Sequence, residues 1–300
     1  MQNVLILGGT RFFGKKLAAN LLRGGADVTI LTRGNTADSF GPGVKRLHAD
    51  RTDAAALRQV IGSADYDVVY DNICYTPQDA EQAVQLFAGR TGRYIVTSSK
   101  SVYPFGGPRK KESNFDPYGY PLPSVYPDQP DYAEGKRLVE AVLFQKAPFP
   151  AVAVRFPIVL GPDDYTRRLH FHLEHIKQGL PLGIPNRDAL LTFIDSDEAA
   201  SFLGWLGTSA LEGPVNACSK GETTPGKIVS LIEEALNKQA HVKDQTDAEH
   251  MSPFGVPESW YMDTSKAEAA GYTFRKLDDW LPDLIRKLAA ESEERSSIES

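Results

Sequence analysis

The stretch NVLILGGTRFFGKKL, residues 3–17, decides the fold of this chain. Val4 to Leu7 are an apolar run that reads as a short buried strand, and the glycines at 8 and 9 end it in a tight turn. Beyond the turn Phe13, Leu17 and Leu21 recur at the spacing of one helical face until Gly24 and Gly25 stop it. A strand, a glycine-rich turn and a helix in this order let backbone N–H groups approach a phosphate, and the helix N-terminus adds partial positive charge. Gly8, Gly9 and Gly14 satisfy part of a GxxGxxG pattern, and Arg11 interrupts it.

The same alternation continues outward. ADVTILTRG (26–34), YDVVYDNI (66–73), GRYIVTSS (92–99) and PAVAVRFPIVLG (150–161) read as strands, and 53–62, 77–89 and 132–146 read as helices between them. Such an order predicts right-handed crossovers and a doubly wound parallel sheet covered by helices on both faces, occupying residues 1–161. Residues 104–130 are rich in Pro and Gly, without periodicity, and read as a long loop beside a site. From 162 to 288 the pattern loosens into a smaller α/β lobe interleaved with the first, holding an amphipathic helix near 225–238. Residues 289–300 carry little apolar content and read as a frayed helix end or disordered tail.

The chain has 300 residues, 41% hydrophobic, and a formal net charge of −6, which argues against a general polyanion-binding surface and makes nucleic acid an unfavoured partner. No basic leader precedes the first strand and no run of apolar residues is long enough for a membrane span, so an untargeted cytoplasmic protein is expected. Cys74 and Cys218 stand far apart without ligand spacing, which suggests neither a disulfide framework nor a zinc site.

Arg11 requires a charge argument. A guanidinium in the first turn of a helix opposes the helix dipole, so an anionic partner is expected nearby. The second strand ends in Thr32-Arg33, where an NAD-selective site offers an acid to the ribose. Arg11 and Arg33 are therefore expected to hold the 2′-phosphate of NADP, with NAD the alternative cofactor and Asp50 near the adenine amino group.

In DYAEGKRLVEAVL, Tyr132 and Lys136 are four residues apart on one helical face. An ammonium there favours the phenolate, so that Tyr132 can pass a proton to or from a substrate oxygen. YIVTSSKSVYP places hydroxyls at the carboxyl end of a parallel strand, with Ser99 the first candidate to hydrogen-bond the reacting oxygen and Ser98 and Ser101 beside it.

Together and in this order, these residues resemble the extended short-chain dehydrogenase/reductase family, the NAD-dependent epimerase/dehydratase group. VRFPIVLGP (154–162), FIDSDEAA (193–200), GPVNACS (213–219) and DTSKAEAAGY (263–272) extend the resemblance over nearly the whole chain. It implies a Rossmann domain, a smaller substrate lobe, a catalytic Ser99/Tyr132/Lys136 set, a sugar or nucleotide-sugar substrate, and a homodimer formed through the helix at 132–146. Gly8 and Gly14 match it in the loop, and the cofactor contacts expected in all are Gly8, Thr10, Arg11, Phe12, Phe13 and Gly14 in the loop, and Arg33, Asp50, Asn72, Lys136 and Pro157 beyond it. Ser101, His170 and Arg187 are expected at the substrate, and Arg167, Arg168 and Arg187 are candidates to clamp a substrate phosphate.

The departures are informative. Arg11 replaces the middle glycine, a form similar to an atypical branch that includes plastid RNA-binding proteins, so a non-enzymatic nucleotide- or RNA-binding role is the alternative. DNICYTP (71–77) puts Cys74 near the cofactor where alanine is usual. Ser99-Lys100-Ser101 stands where dehydratases carry an Asp-Glu pair, which favours epimerisation or carbonyl reduction over elimination. His170, His172 and His175 lack a carboxylate or cysteine to complete a metal site, so no metal is expected.

Overall fold

The computed structural model describes residues 1–127 and 130–298. The chain opens with β1 (Asn3–Leu7), α1 (Phe12–Arg23), β2 (Asp27–Thr32), β3 (Val44–His48), α2 (Ala54–Ile61), β4 (Val68–Asp71), α3 (Pro77–Phe87) and β5 (Tyr94–Ser99). After the long loop come α4 (Tyr132–Lys146), β6 (Ala151–Phe156) and β7 (Ile158–Leu160). Then follow α5 (Arg168–Gln178), β8 (Pro181–Gly183), β9 (Phe193–Asp195), α6 (Ser196–Leu206), β10 (Gly213–Asn216), α7 (Pro225–Leu236), β11 (His241–Lys243), α8 (Ser265–Ala269) and α9 (Leu281–Ile298).

Seven strands form one parallel sheet in the order β10-β6-β5-β4-β1-β2-β3. Successive side chains of a strand face opposite sides. Val4 and Ile6 of β1 accordingly pack with Leu17 and Ala18 of α1 and Phe202, Leu203 and Leu206 of α6. Leu5 and Leu7 pack on the other face with Leu57, Ala80, Ala83, Val139 and Val142 of α2, α3 and α4. A strand buried on both faces cannot alternate polar and apolar residues, which is why the strand sequences read as continuous apolar runs.

Helix starts follow local capping chemistry. The Asp53 side chain accepts from the backbone N–H of Ala55 and Ala56, Thr76 and Asp79 form a capping box ahead of Pro77, and Asp131 accepts from Glu134 N–H. The apolar segment 150–161 is two strands, not one. Pro157, which has no N–H to donate, separates β6 in the main sheet from β7, and β7 pairs with β9 instead.

The smaller lobe gathers Leu169, Leu173 and Ile176 of α5, Ile228, Val229 and Ile232 of α7, and Ile285 and Leu288 of α9 around a separate core. Residues 196–216 return to the first body, with α6 against α1 and β10 at the sheet edge. α9 runs through Ile298, with Leu288 and Ala289 buried in the core, and residues 299 and 300 lie outside the described residues. No described helix is long and apolar enough to cross a membrane. β1 and β4 are neighbours although β2 and β3 extend the other way, so the strand order reverses there and leaves a crevice at their carboxyl ends.

Candidate active site

That crevice is a cleft of about 800 Å³. The glycine-rich loop forms one wall. Gly8 has φ +82°, and a side chain there would collide with Ile73; a Cβ on Gly14 would lie 2.5 Å from the Gly8 carbonyl oxygen. These two positions therefore require glycine. Arg11 does not, since its backbone is extended at φ −132° and ψ 151°. The strain passes instead to Phe12, whose φ of +48° costs a side-chain-bearing residue roughly 1–2 kcal/mol. Ring contacts with Phe13 and Tyr165 hold it, with centroids at 5.7 and 6.2 Å.

Every residue expected at the cofactor from Gly8 through Gly14, together with Arg33, Asp50, Asn72, Lys136 and Pro157, lines this cleft. At its outer end Arg11 Nε donates to Thr36 Oγ1 at 3.2 Å, and the guanidinium lies 5.9 Å from the Tyr165 ring centroid. Arg33 and Asp50 stand nearby. Asp50 accepts from the backbone N–H and hydroxyl of Thr52, and these bonds hold its carboxyl below the usual range. Arg51, which sequence reading passed over, is buried in the wall: its Nη2 donates to Asp71 Oδ2 at 2.9 Å and to the Asp79 carbonyl at 2.8 Å, and its Nε has no protein partner. Tyr75 and Tyr165 also line the cleft unannounced by any local motif. Their only sequence signal was an aromatic residue in the loop after a strand.

At the inner end Ser99, the last residue of β5, caps the following turn. Its Oγ accepts from Ser101 N–H at 3.1 Å and donates to Ser101 Oγ at 3.0 Å, while Ser98 Oγ turns away to donate to Glu140 Oε1. Lys136 is buried, and its Nζ donates to the carbonyls of Cys74 at 2.8 Å and Thr97 at 2.7 Å. The ammonium lies 5.8 Å from the Tyr132 ring centroid and 4.6 Å from that of Tyr75. Tyr132 itself is 55% exposed at the first turn of α4, open to a ligand. The Cys74 side chain is a correction to expectation. It points into the core beside Leu5 and Val139, burial pushes its thiol up, and Ile73 takes the place on the cleft wall.

The expected substrate residues separate. Ser101 touches Ser99, but His170 and Arg187 are not among the residues lining the cleft; the Arg187 carbonyl accepts from Gly226 N–H at the start of α7. Arg168 lines the cleft, whereas Arg167 is paired with Glu174. His172 is bonded to Ser252 Oγ and the Arg168 carbonyl, and His175 to His250. No group of three or more metal-ligating side chains occurs among the described residues.

Lys100, next to Ser99, is buried with its Nζ 3.3 Å from the Trp260 carbonyl and 4.4 Å from that ring's centroid. Burial pulls its ammonium down to about 7. Between that value and the ordinary lysine value of about 10.4 the unfolded chain binds more protons than the folded one, so Lys100 makes stability rise with pH in this window. Denaturant titrations at pH values across the window should show the rise in the native chain and a flatter dependence in Lys100→Met.

The profile of the NAD dependent epimerase/dehydratase family matches residues 4–217. The chain belongs to this family. Among solved structures it superposes on a UDP-glucose 4-epimerase from Thermus thermophilus in complex with NAD, at a TM-score of 0.71 and 18% identity over 95% of this chain and 98% of that one. A dTDP-glucose 4,6-dehydratase from Bacillus anthracis, also in complex with NAD, gives 0.76 and 13% over 98% of both chains. A curated relative, the chloroplast stem-loop binding protein of 41 kDa b from Arabidopsis thaliana, is 26% identical over 224 residues, covering 69% of this chain and 55% of the relative, so the match spans about half of that protein's length.

The family is described as NAD dependent, which implies a nicotinamide dinucleotide, and the residues lining this cleft fit one. Gly8 before α1 and Gly14 in its first turn leave a cradle that a Cβ would fill, and Asn72 Nδ2 is a buried donor in the wall with no protein partner among the described residues.

Proposed function

We propose that this chain is an NADP-dependent epimerase or oxidoreductase acting on a hydroxyl or carbonyl of a sugar or nucleotide sugar. The observation that carries this reading is the convergence of Ser99, Tyr132 and Lys136, from the end of β5 and the start of α4, on the cleft that the Gly8–Gly14 loop opens. Bound there, a nicotinamide dinucleotide supplies a hydride donor or acceptor. Tyr132 then gives a proton to the substrate oxygen, or takes one from it, and Ser99 hydrogen-bonds the same oxygen. Lys136 Nζ lies 5.8 Å from the Tyr132 ring centroid and has donor capacity beyond the two bonds it gives to carbonyls. Phe156 and Val159 give the inner cleft apolar surface that limits water around the reacting atoms.

An epimerase carries out the transfer twice on opposite faces of a ketone that turns in the site, whereas a reductase carries it out once. Incubation with NADPH and a panel of keto-sugars, and separately with NADP⁺ and a panel of nucleotide sugars, separates them: net oxidation of NADPH marks a reductase, and inverted configuration without net reduction of NADP⁺ marks an epimerase. Failure of the purified chain to bind either dinucleotide in calorimetry would refute both.

Arg11 and Arg33 are proposed to hold the 2′-phosphate, a reading supported by their positions at the outer end of the cleft and by the lack of an acid at the end of β2. Hydrogen bonds to charged groups contribute about 1.5–3 kcal/mol. The paired Arg11→Ala, Arg33→Ala variant should therefore bind NADP at least about tenfold more weakly while NAD affinity changes by less than about threefold. Equal losses for both dinucleotides would remove the arginines from this role. A second reading, a nucleotide-binding member that contacts RNA, draws support from the chloroplast stem-loop binding relative; the net charge of −6 weighs against it.

A further inference from the structure

A helix that covers one face of a sheet ordinarily presents its other face to water or to a partner, and carries an apolar stripe on one side only. α4 is different: Gly135, Lys136 and every residue from Leu138 to Leu143 are buried within the single chain. Toward the sheet, Lys136 and Glu140 meet Thr97 and Ser98. Away from it, the cover is residues 115–127 of the Pro/Gly-rich loop. The Tyr120 hydroxyl donates to Glu134, Gln145 Nε2 donates to the carbonyls of Pro117 and Tyr120, and the Tyr118 ring lies 5.1 Å from that of Phe144. The segment then crosses to α3. Tyr126 hydroxyl and Lys146 Nζ both donate to Glu81, Gln78 Nε2 donates to the Pro127 carbonyl, and Leu122 and Tyr126 pack on the apolar cluster that α3 and α4 share.

We propose that residues 115–127 are an intramolecular cap on the α3/α4 face, so that this face is closed to pairing with another copy of the chain. The contacts combine polar anchors at both ends with apolar plugs between them, as an interface does. A tethered segment competes at an effective concentration of about millimolar, whereas a second copy arrives at about micromolar. A partner subunit would have to bind this face about a thousandfold better than the cap does in order to displace it.

The test is sedimentation of the full chain at about 1 and about 100 µM, with hydrogen exchange read by mass spectrometry on the same samples. The expected result is that exchange in residues 77–87, 115–127 and 132–146 is the same at both concentrations. That holds whether the chain sediments as a monomer or associates through another face. Association accompanied by new protection in those segments would overturn the proposal. A Leu122→Ala, Tyr126→Ala variant, which unpins the cap without touching the cleft, should exchange faster in 77–87 and 115–127. Unchanged exchange in that variant would show that the segment caps nothing.

Discussion

Tyr132→Phe is expected to lower turnover by about 10²–10⁴-fold, the contribution of a positioned proton donor, while dinucleotide affinity stays within about twofold. The asymmetry follows from geometry. Tyr132 is exposed at the rim of the cleft and has no structural hydrogen bond among the described residues, so its loss removes a hydroxyl without leaving a buried group unpaired. Lys136 is the opposite case, buried and bonded to two carbonyls that join the end of β5 to the segment after β4. A Lys136 variant would confound chemistry with folding, which is why the tyrosine gives the cleaner measurement. Steady-state kinetics on the substrate found in the screen, with calorimetry of the dinucleotide, decides the matter. Turnover retained by Tyr132→Phe would take the proton from Tyr132 and turn attention to Tyr75, the other phenol beside the same ammonium.

Glu140→Ala is expected to cost about 3–5 kcal/mol of stability, because it leaves a buried guanidinium without its counter-charge. Glu140 and Arg155 are both wholly buried, with Arg155 Nη2 2.6 Å from Glu140 Oε2 and Nε 3.0 Å from Oε1. The guanidinium also donates to Tyr103 Oη and to the carbonyls of Glu112 and Phe115, and the carboxylate accepts from Ser98. One ion pair thus joins β6, α4, the last turn of β5 and the root of the long loop. Urea unfolding of Glu140→Ala checks the loss. Replacing both partners by apolar residues, as in Glu140→Leu with Arg155→Met, should recover much of it, since the penalty lies in the unpaired charge more than in the absent bond. A single variant of near-native stability would contradict this account.

The elements legible in the sequence are those fixed by neighbours along the chain. Helix 132–146 begins where Asp131 supplies a cap, and the parallel strands announce themselves as apolar runs because both their faces are buried. The glycines at 8 and 14 were legible for the same reason, since their requirement is a turn and a close approach within seven residues. What escaped depends on pairings across long separations. Arg51 sits in the cleft wall because Asp71 and Asp79 pin it there, and Tyr165 enters only because β7 leaves the main sheet and brings its loop back over Phe12. The direction of Cys74 could not be read either, as a segment leaving a strand keeps no period to say which side chain faces inward. Glu140 has no partner near it in sequence, and its burial in the middle of α4 depends on Arg155 from β6.

The helix that follows the phosphate-type loop is fastened to the part of the chain beyond β7. Lys16 Nζ donates to Ser196 Oγ at 2.7 Å and pairs with Asp163 and Asp197, and Arg11 faces the Tyr165 ring. Exposed pairs of this kind contribute little to stability, about 0–1 kcal/mol each, so their consequence is thermodynamic linkage. The 163–165 loop touches the cleft wall on one side and leads into the smaller lobe on the other. If both ligands prefer one position of this loop, the factor by which bound substrate changes dinucleotide affinity must equal the factor by which the dinucleotide changes substrate affinity. The order in which the two ligands arrive would then govern rates alone, because the free energy of the ternary state is the same by either route.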